Sequence, residues 1–254
     1  MFEDIRRNLM GHERPLVLAH RGGKDEAPEN AAESFADALA HGIRGAETDV
    51  HMTADGELVI MHDASVARTT GSEGVVEEMR LADITALEIG GSGWRVPSLD
   101  RFLEVYAGLP DVYVELEMKT GGAFYDDARL KRYCRLLHDR ATAALVPGTF
   151  VFTSFQNRTL ATMRRLFPDA STALIMCGAM TEEKLAEAIS LGCAGISPQI
   201  PTDPALVVKA HEAGLIVNLW CSDTPELYRE AQAKGADLST SNRPREILRL
   251  CGDA

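Results

Sequence analysis

Residues 172–240 read TALIMCGAMTEEKLAEAISLGCAGISPQIPTDPALVVKAHEAGLIVNLWCSDTPELYREAQAKGADLST. Four short apolar runs, at 172–175, 195–197, 216–219 and 238–240, alternate there with three longer stretches, 182–191, 204–212 and 225–233, whose apolar residues recur at helical spacing. Short apolar runs bounded by turn residues are strands covered on both faces, and a helix between two of them returns the chain so that they lie parallel. Gly192, Gly214 and Gly235 follow the three helical stretches, where a left-handed backbone past a helix end favours glycine.

The same alternation runs back to the start of the chain. Strands are expected at 16–19, 46–50, 112–117 and 150–153, and helices at 32–40, 99–107, 127–140 and 158–166, with Gly42 closing the first. Eight strands separated by helical stretches in 254 residues predict an α/β fold, a (β/α)8 TIM barrel forming a single domain over residues 1–254. One segment breaks the rhythm. Residues 51–97 are too long for a strand-to-helix loop; they hold a turn at Asp55-Gly56, a short strand at 58–61 and a short helix near 81–87. They predict a small insertion after the second strand, lying over the barrel mouth, with too little content for a core of its own.

Apolar residues at 45% and charged residues at 25% are values of a folded globular chain and not of a disordered one. A net charge of −12 speaks against non-specific nucleic-acid binding, which needs clustered Lys and Arg, so a small anionic ligand would require a local positive site. No run approaches the ~18 apolar residues of a membrane span, and residues 1–15 contain no apolar signal-peptide core. The expectation is a cytoplasmic protein with no stable membrane insertion. Cys134, Cys177, Cys193, Cys221 and Cys251 are widely spaced without a CxxC pair and read as reduced thiols. A homo-oligomer is left open.

Charged residues on barrel strands need a reason, because both faces of such strands are normally covered. Glu47 and Asp49 stand two apart on the second strand, so both carboxylates reach the same face near its C-terminal end, where barrel active sites form. Glu115, Glu117 and Lys119 repeat that period on the third. An exposed polar face on an edge strand would show the same pattern. Converging carboxylates, however, repel one another unless protonated or bridged by a cation, and hard oxygen donors suit Mg²⁺ or Ca²⁺ better than zinc.

His20 ends the first strand and is followed by Arg21, Gly22 and Gly23, which sets an imidazole and a phosphate-clamping guanidinium at the mouth. His62 follows the short strand of the insertion. His51 continues the phase of Glu47 and Asp49 and stays outside the core set. His41, His138 and His211 fall within or at the end of helices, and His12 precedes the first strand. Trp220, after the seventh strand, is a candidate for packing on the substrate's carbon skeleton or a plain apolar filler.

These residues resemble the glycerophosphodiester phosphodiesterase family, whose barrel belongs with the phosphatidylinositol-specific phospholipase C-like phosphodiesterases. The matching text is LAHRGGKDEAPEN at 18–30, ETDVHMTADGELVIMHD at 47–63, RVPSLDRFL at 95–103, ELEMK at 115–119 and GADLSTSNRP at 235–244. The resemblance implies catalytic histidines at His20 and His62, a phosphate contact at Arg21, metal carboxylates at Glu47, Asp49 and Glu117, and the motif lysine at Lys119. It also implies one divalent cation, Mg²⁺ or Ca²⁺, and a small-molecule phosphodiester substrate. Glu29 matches the motif glutamate without a role that spacing supplies. Ala31, Glu115 and Asn242 depart from the usual threonine, neutral residue and aspartate at their positions.

The function so implied is metal-dependent hydrolysis of glycerophosphodiesters to glycerol 3-phosphate and an alcohol. One histidine would take a proton from the attacking oxygen, of water or of a neighbouring glycerol hydroxyl, and the other would give one to the leaving alkoxide, with His20 as the favoured base. A sugar-phosphate diester or a lysophospholipid would suit the same residues. A barrel that senses a phosphodiester without cutting it would not need paired proton carriers. A metal-assisted enolate chemistry would also want carboxylates at the strand ends, but not the His20-Arg21-Gly22 turn paired with His62.

Overall fold

The computed structural model describes residues 14–251, so the charge-mixed N-terminal stretch up to residue 13, with His12, lies outside it. Its strands are β1 (Leu16–His20), β2 (Gly45–Met52), β3 (Leu58–Ile60), β4 (Tyr113–Met118), β5 (Phe150–Ser154), β6 (Thr172–Ile175), β7 (Gly195–Ser197), β8 (Ile216–Trp220) and β9 (Leu238–Ser241). All but β3 pair in parallel in the order β1-β2-β4-β5-β6-β7-β8-β9, and β9 returns to β1, which closes the eight-stranded barrel. One helix follows each barrel strand before the next: α1 (Ala32–Ala40), α4 (Leu99–Tyr106), α5 (Asp127–Ala144), α6 (Asn157–Leu166), α7 (Glu182–Ser190), α8 (Pro204–Glu212), α9 (Pro225–Ala233) and α10 (Pro244–Cys251). The insertion carries β3 and the one-turn helices α2 (Ala67–Thr70) and α3 (Leu81–Ile84). The expected (β/α)8 barrel is the observed fold.

Local chemistry explains where the helices begin. The side chains of Ser98, Asp126, Thr181, Asp203 and Thr224 each accept a backbone N–H of the helix that follows, and Pro204 and Pro225 occupy first-turn positions where no N–H is needed. Such caps are worth about 1 kcal/mol each. At the other ends Gly42, Gly192, Gly214 and Gly235 take φ of 85°, 67°, 85° and 83°, as the sequence predicts. Helix α5 outruns its expected end by a turn, with Ala141 fully buried, before the break at Pro147. The last helix, α10, escaped the sequence reading although Pro244 opens it and Ile247 is buried, because only two turns of pattern are available there.

Strand phase divides the core. Val114, Leu116 and Met118 of β4 face the helices and join the large apolar cluster, in which Phe35 of α1 and Phe102 of α4 meet edge to face at 4.7 Å. Leu18, Tyr113, Val151, Ala173, Ile216 and Leu238 form a separate cluster inside the barrel that floors it. Polar residues occupy the layers above that floor.

The insertion is tied on by β3, which pairs antiparallel with the end of β2, and this pairing prolongs β2 to Met52, past its expected end. Gly56 turns the hairpin at φ 80°. The expected helix near 81–87 is only α3, and a 3₁₀ turn at Val76–Glu78 precedes it. Val59, Val66, Val76, Ile84, Ile89 and Val96 form a small cluster of their own, to which the β1–α1 loop adds Ala31. Among the described residues no helix is long and apolar enough to cross a membrane.

Candidate active site

Parallel register stacks the polar interior into layers. His20 aligns with Glu47 and Glu47 with Glu115, while Asp49 aligns with Glu117 one step nearer the C-terminal mouth. Oxygens of Glu47, Asp49 and Glu117 lie within 4.8 Å of one another, and all three residues are buried. Burial, with Asp49 and Glu117 close by, pushes the Glu47 carboxyl well up; burial and Asp49 raise Glu117. Burial also opposes the Asp49 carboxylate, but Lys119 and Arg21 outweigh it and hold that group down. Glu47 Oε2 and Asp49 Oδ1 are buried without a hydrogen-bond partner. Three hard oxygen donors this close together, two of them with an unsatisfied buried atom, fit a divalent cation.

Two cations frame the carboxylates. Lys119 Nζ lies 2.8 Å from Glu117 Oε1 and 3.4 Å from Asp49 Oδ1, and Arg21 Nε lies 3.5 Å from Asp49 Oδ2. Arg21 is held at φ 53°, and its N–H donates to the Glu47 carbonyl. At Gly22, φ 81°, a Cβ would come within 2.9 Å of Ser34 Cβ, so the turn behind the guanidinium requires glycine. Asn30 donates to Asp49 Oδ2 at 2.8 Å and accepts from Thr48, fixing the carboxylate's free oxygen toward the cluster.

The two histidines are held by different devices. Asn242 Nδ2 donates to Asp223 Oδ2, which turns Asn242 Oδ1 toward His20, so His20 Nδ1–H is the donor across 2.5 Å. Its Nε2 is then the bare nitrogen, 3.6 Å from Glu47 Oε2. Burial and the neighbouring Arg21 lower the His20 pKa to about 4. His62 Nδ1–H donates instead to the Asp63 carboxylate at 2.6 Å. Asp63 accepts from Arg68, Arg68 grips Glu29 with two bonds of 2.8 Å, and Glu29 accepts from Arg21 at 3.2 Å. Burial lowers the His62 pKa also.

A sequence model of the glycerophosphoryl diester phosphodiesterase family matches residues 20–246. The chain belongs to that family. A glycerophosphodiester phosphodiesterase of Caldanaerobacter subterraneus is 28% identical over 249 residues, covering 93% of this chain and 98% of that one. A Silicibacter pomeroyi crystal structure, solved as a candidate glycerophosphoryl diester phosphodiesterase, superposes with a TM-score of 0.89 at 30% identity, covering 97% of this chain and 96% of that one. An Oleispira antarctica phosphodiesterase, solved with sn-glycerol-3-phosphate, shares the fold with a TM-score of 0.83 at 24% identity, covering 94% and 98%.

In this phosphodiesterase His20, Arg21, Glu47, Glu117 and His62 line one cavity of about 250 Å³. Trp220 lies on its wall, its Nε1–H given to the Ser197 carbonyl and its ring edge to face with Phe155 at 6.3 Å. Glu115 sits level with Glu47 and one layer below Asp49 and Glu117, both oxygens accepting from Asn218 at 3.1 Å; burial lifts its pKa to about 7. His51 reaches Glu77 Oε1 at 2.7 Å and faces the His62 carbonyl at 3.3 Å, behind the cavity. His138 stacks on Phe167 at 3.5 Å, and His41 and His211 bond Asp37 and Asp237, all away from it. The sequence reading missed the contact of Asn242 with His20 and the Glu29–Arg68–Asp63 chain. The signals were in plain view in the His62-Asp63 pair and in Glu29 of the Pro-Glu-Asn motif, but neither names its partner.

Proposed function

We propose that the enzyme hydrolyses glycerophosphodiesters to glycerol 3-phosphate and an alcohol, with one Mg²⁺ or Ca²⁺ held by Glu47, Asp49 and Glu117 and with His20 and His62 transferring the protons. The observation that carries the reading is that two histidines, one ending β1 and one in the insertion, line one cavity with Glu47 and Glu117, whose carboxylates cluster with that of the buried Asp49. A cation bound there supplies positive charge to the phosphoryl oxygens and relieves the carboxylate repulsion.

The chain's own groups do the rest. Arg21 and Lys119 flank the carboxylates and are placed to meet the diester's anionic oxygens, where transition-state charge grows. His20 is neutral at working pH and presents Nε2 as base toward the attacking oxygen, of water or of the neighbouring glycerol hydroxyl, whose attack would leave a cyclic phosphate that water then opens to glycerol 3-phosphate. His62 has a carboxylate partner where His20 has a neutral amide; that carboxylate counters the burial that lowers the His62 pKa, and this assigns His62 the role of acid to the leaving alkoxide. Trp220 offers a ring for the carbon skeleton. The glycerol half of the substrate is supported by the family match and by the names of relatives. Five unpaired thiols support a reducing, cytoplasmic setting.

Chelator-treated protein offered glycerophosphocholine, glycerophosphoethanolamine and glycerophosphoinositol, with Mg²⁺ or Ca²⁺ restored, tests the reaction. Release of glycerol 3-phosphate only after restoration is the expected result. No release from any diester with either ion would refute it.

A further inference from the structure

A second groove of about 450 Å³ adjoins the first cavity and shares His62, Glu117 and Phe155 with it, while His20 lines the first alone. With His20 activating the attacking oxygen and His62 protonating the leaving one, the glycerol half lies beside the polar floor of Glu115, Asn218 and Thr240, and the departing alcohol points into the second groove. The walls of that groove have a definite chemistry. Phe124 and Phe155 stand 39% and 37% exposed, so their rings are open to a ligand. Glu77 is buried in the same wall; one oxygen is taken by His51, and Oε2 has no hydrogen-bond partner. Lys119, the ammonium in this lining, is turned to Glu117 and Asp49, where it would also meet the diester's anionic oxygens. Open aromatic rings in a groove whose wall also holds a buried carboxylate attract a cation and give a neutral polyol nothing equivalent.

We propose that this groove receives the departing alcohol and selects a positively charged amino-alcohol head group over a neutral one of the same shape. The proposal rests on the reaction given above, and its test is built to fail separately from that reaction. The metal-loaded His20→Ala variant, too slow to consume ligand, is titrated calorimetrically with glycerophosphocholine and with its neutral isostere, the 3,3-dimethylbutyl diester. The choline diester should bind about fivefold tighter, the scale of one cation–ring contact, and Phe124→Leu in the same background should cut that ratio at least in half. Equal binding of the two diesters, or a ratio untouched by Phe124→Leu, would overturn the proposal. A wild-type enzyme that cleaves neither diester would overturn the reaction instead, while the binding ratio would still decide the groove.

Discussion

Asn242 Oδ1 lies 2.5 Å from His20 Nδ1, and this contact joins residues 222 positions apart, just past the last barrel strand and at the end of the first. Asp223 fixes the amide through both the Asn242 side chain and its backbone N–H, at 2.7 Å each, so the amide has one orientation and His20 one tautomer. Removing the amide in Asn242→Ala should lower kcat by roughly 10- to 100-fold with KM little changed, since the ring loses its orientation and the substrate loses no contact. Asn242→Asp puts a negative charge beside a ring whose pKa now lies at about 4, so it raises that pKa. The acid limb of the pH–kcat profile should therefore move to higher pH, and an unmoved limb would remove His20 from the role of base.

The paired-histidine scheme predicts that His20→Ala and His62→Ala each lower turnover by roughly 100-fold or more, the scale of acid or base assistance. Glycerol 3-phosphate release under single-turnover conditions measures it directly. Near-normal turnover in both variants would end the scheme.

Divalent cations should raise the melting temperature, and more so at higher pH. Burial lifts Glu117 from 4.5 to about 7 and pushes Glu47 up as well. A carboxyl raised on folding contributes its stability fully below pH 4.5 and loses it as pH climbs through about 7. A cation replaces the protons given up, so the gain in Tm grows from about pH 5 to about pH 8. At about 100 times Kd the gain is about 2.7 kcal/mol, roughly 5–10 °C for a chain of this length. Asp49→Asn should abolish most of it, and a shift independent of pH would argue against these ligands.

Arg68 is half exposed and bridges Glu29 to Asp63, so Arg68→Ala separates the two residues' effects on fold and on chemistry. Exposed ion pairs contribute little stability, and unfolding should become easier by no more than about 1 kcal/mol. Turnover should nevertheless fall about tenfold, because Asp63 loses its anchor and His62 its fixed ring. Denaturant melts and kcat on the same preparation provide both readings.

Much of this site was legible before any coordinate. The period of two along a strand put Glu47 with Asp49 and Glu117 with Lys119 on shared faces, and the strand ends placed His20 at the mouth. Helix α10 was not legible because two turns carry too little pattern, and the prolonged β2 was not, because pairing with β3 and not propensity extends it. Glu115 follows the same strand phase as Glu117, so only pairing could separate them. Opposite Glu47 in the parallel register, it falls one layer below Asp49 and Glu117, where its oxygens accept from Asn218 across the barrel.

By itself the sequence determined the repeated strand–helix units, the buried carboxylates and the family, since periodicity and motif are properties of neighbouring residues. The tertiary structure alone decided what supports the chemistry. Closure of β9 onto β1 brings Asn242 to His20, and docking of the insertion brings Asp63 and Arg68 to Glu29. Those partners are set by which strand ends meet and at what register, and hydrogen bonds between side chains far apart in the chain leave no spacing to read.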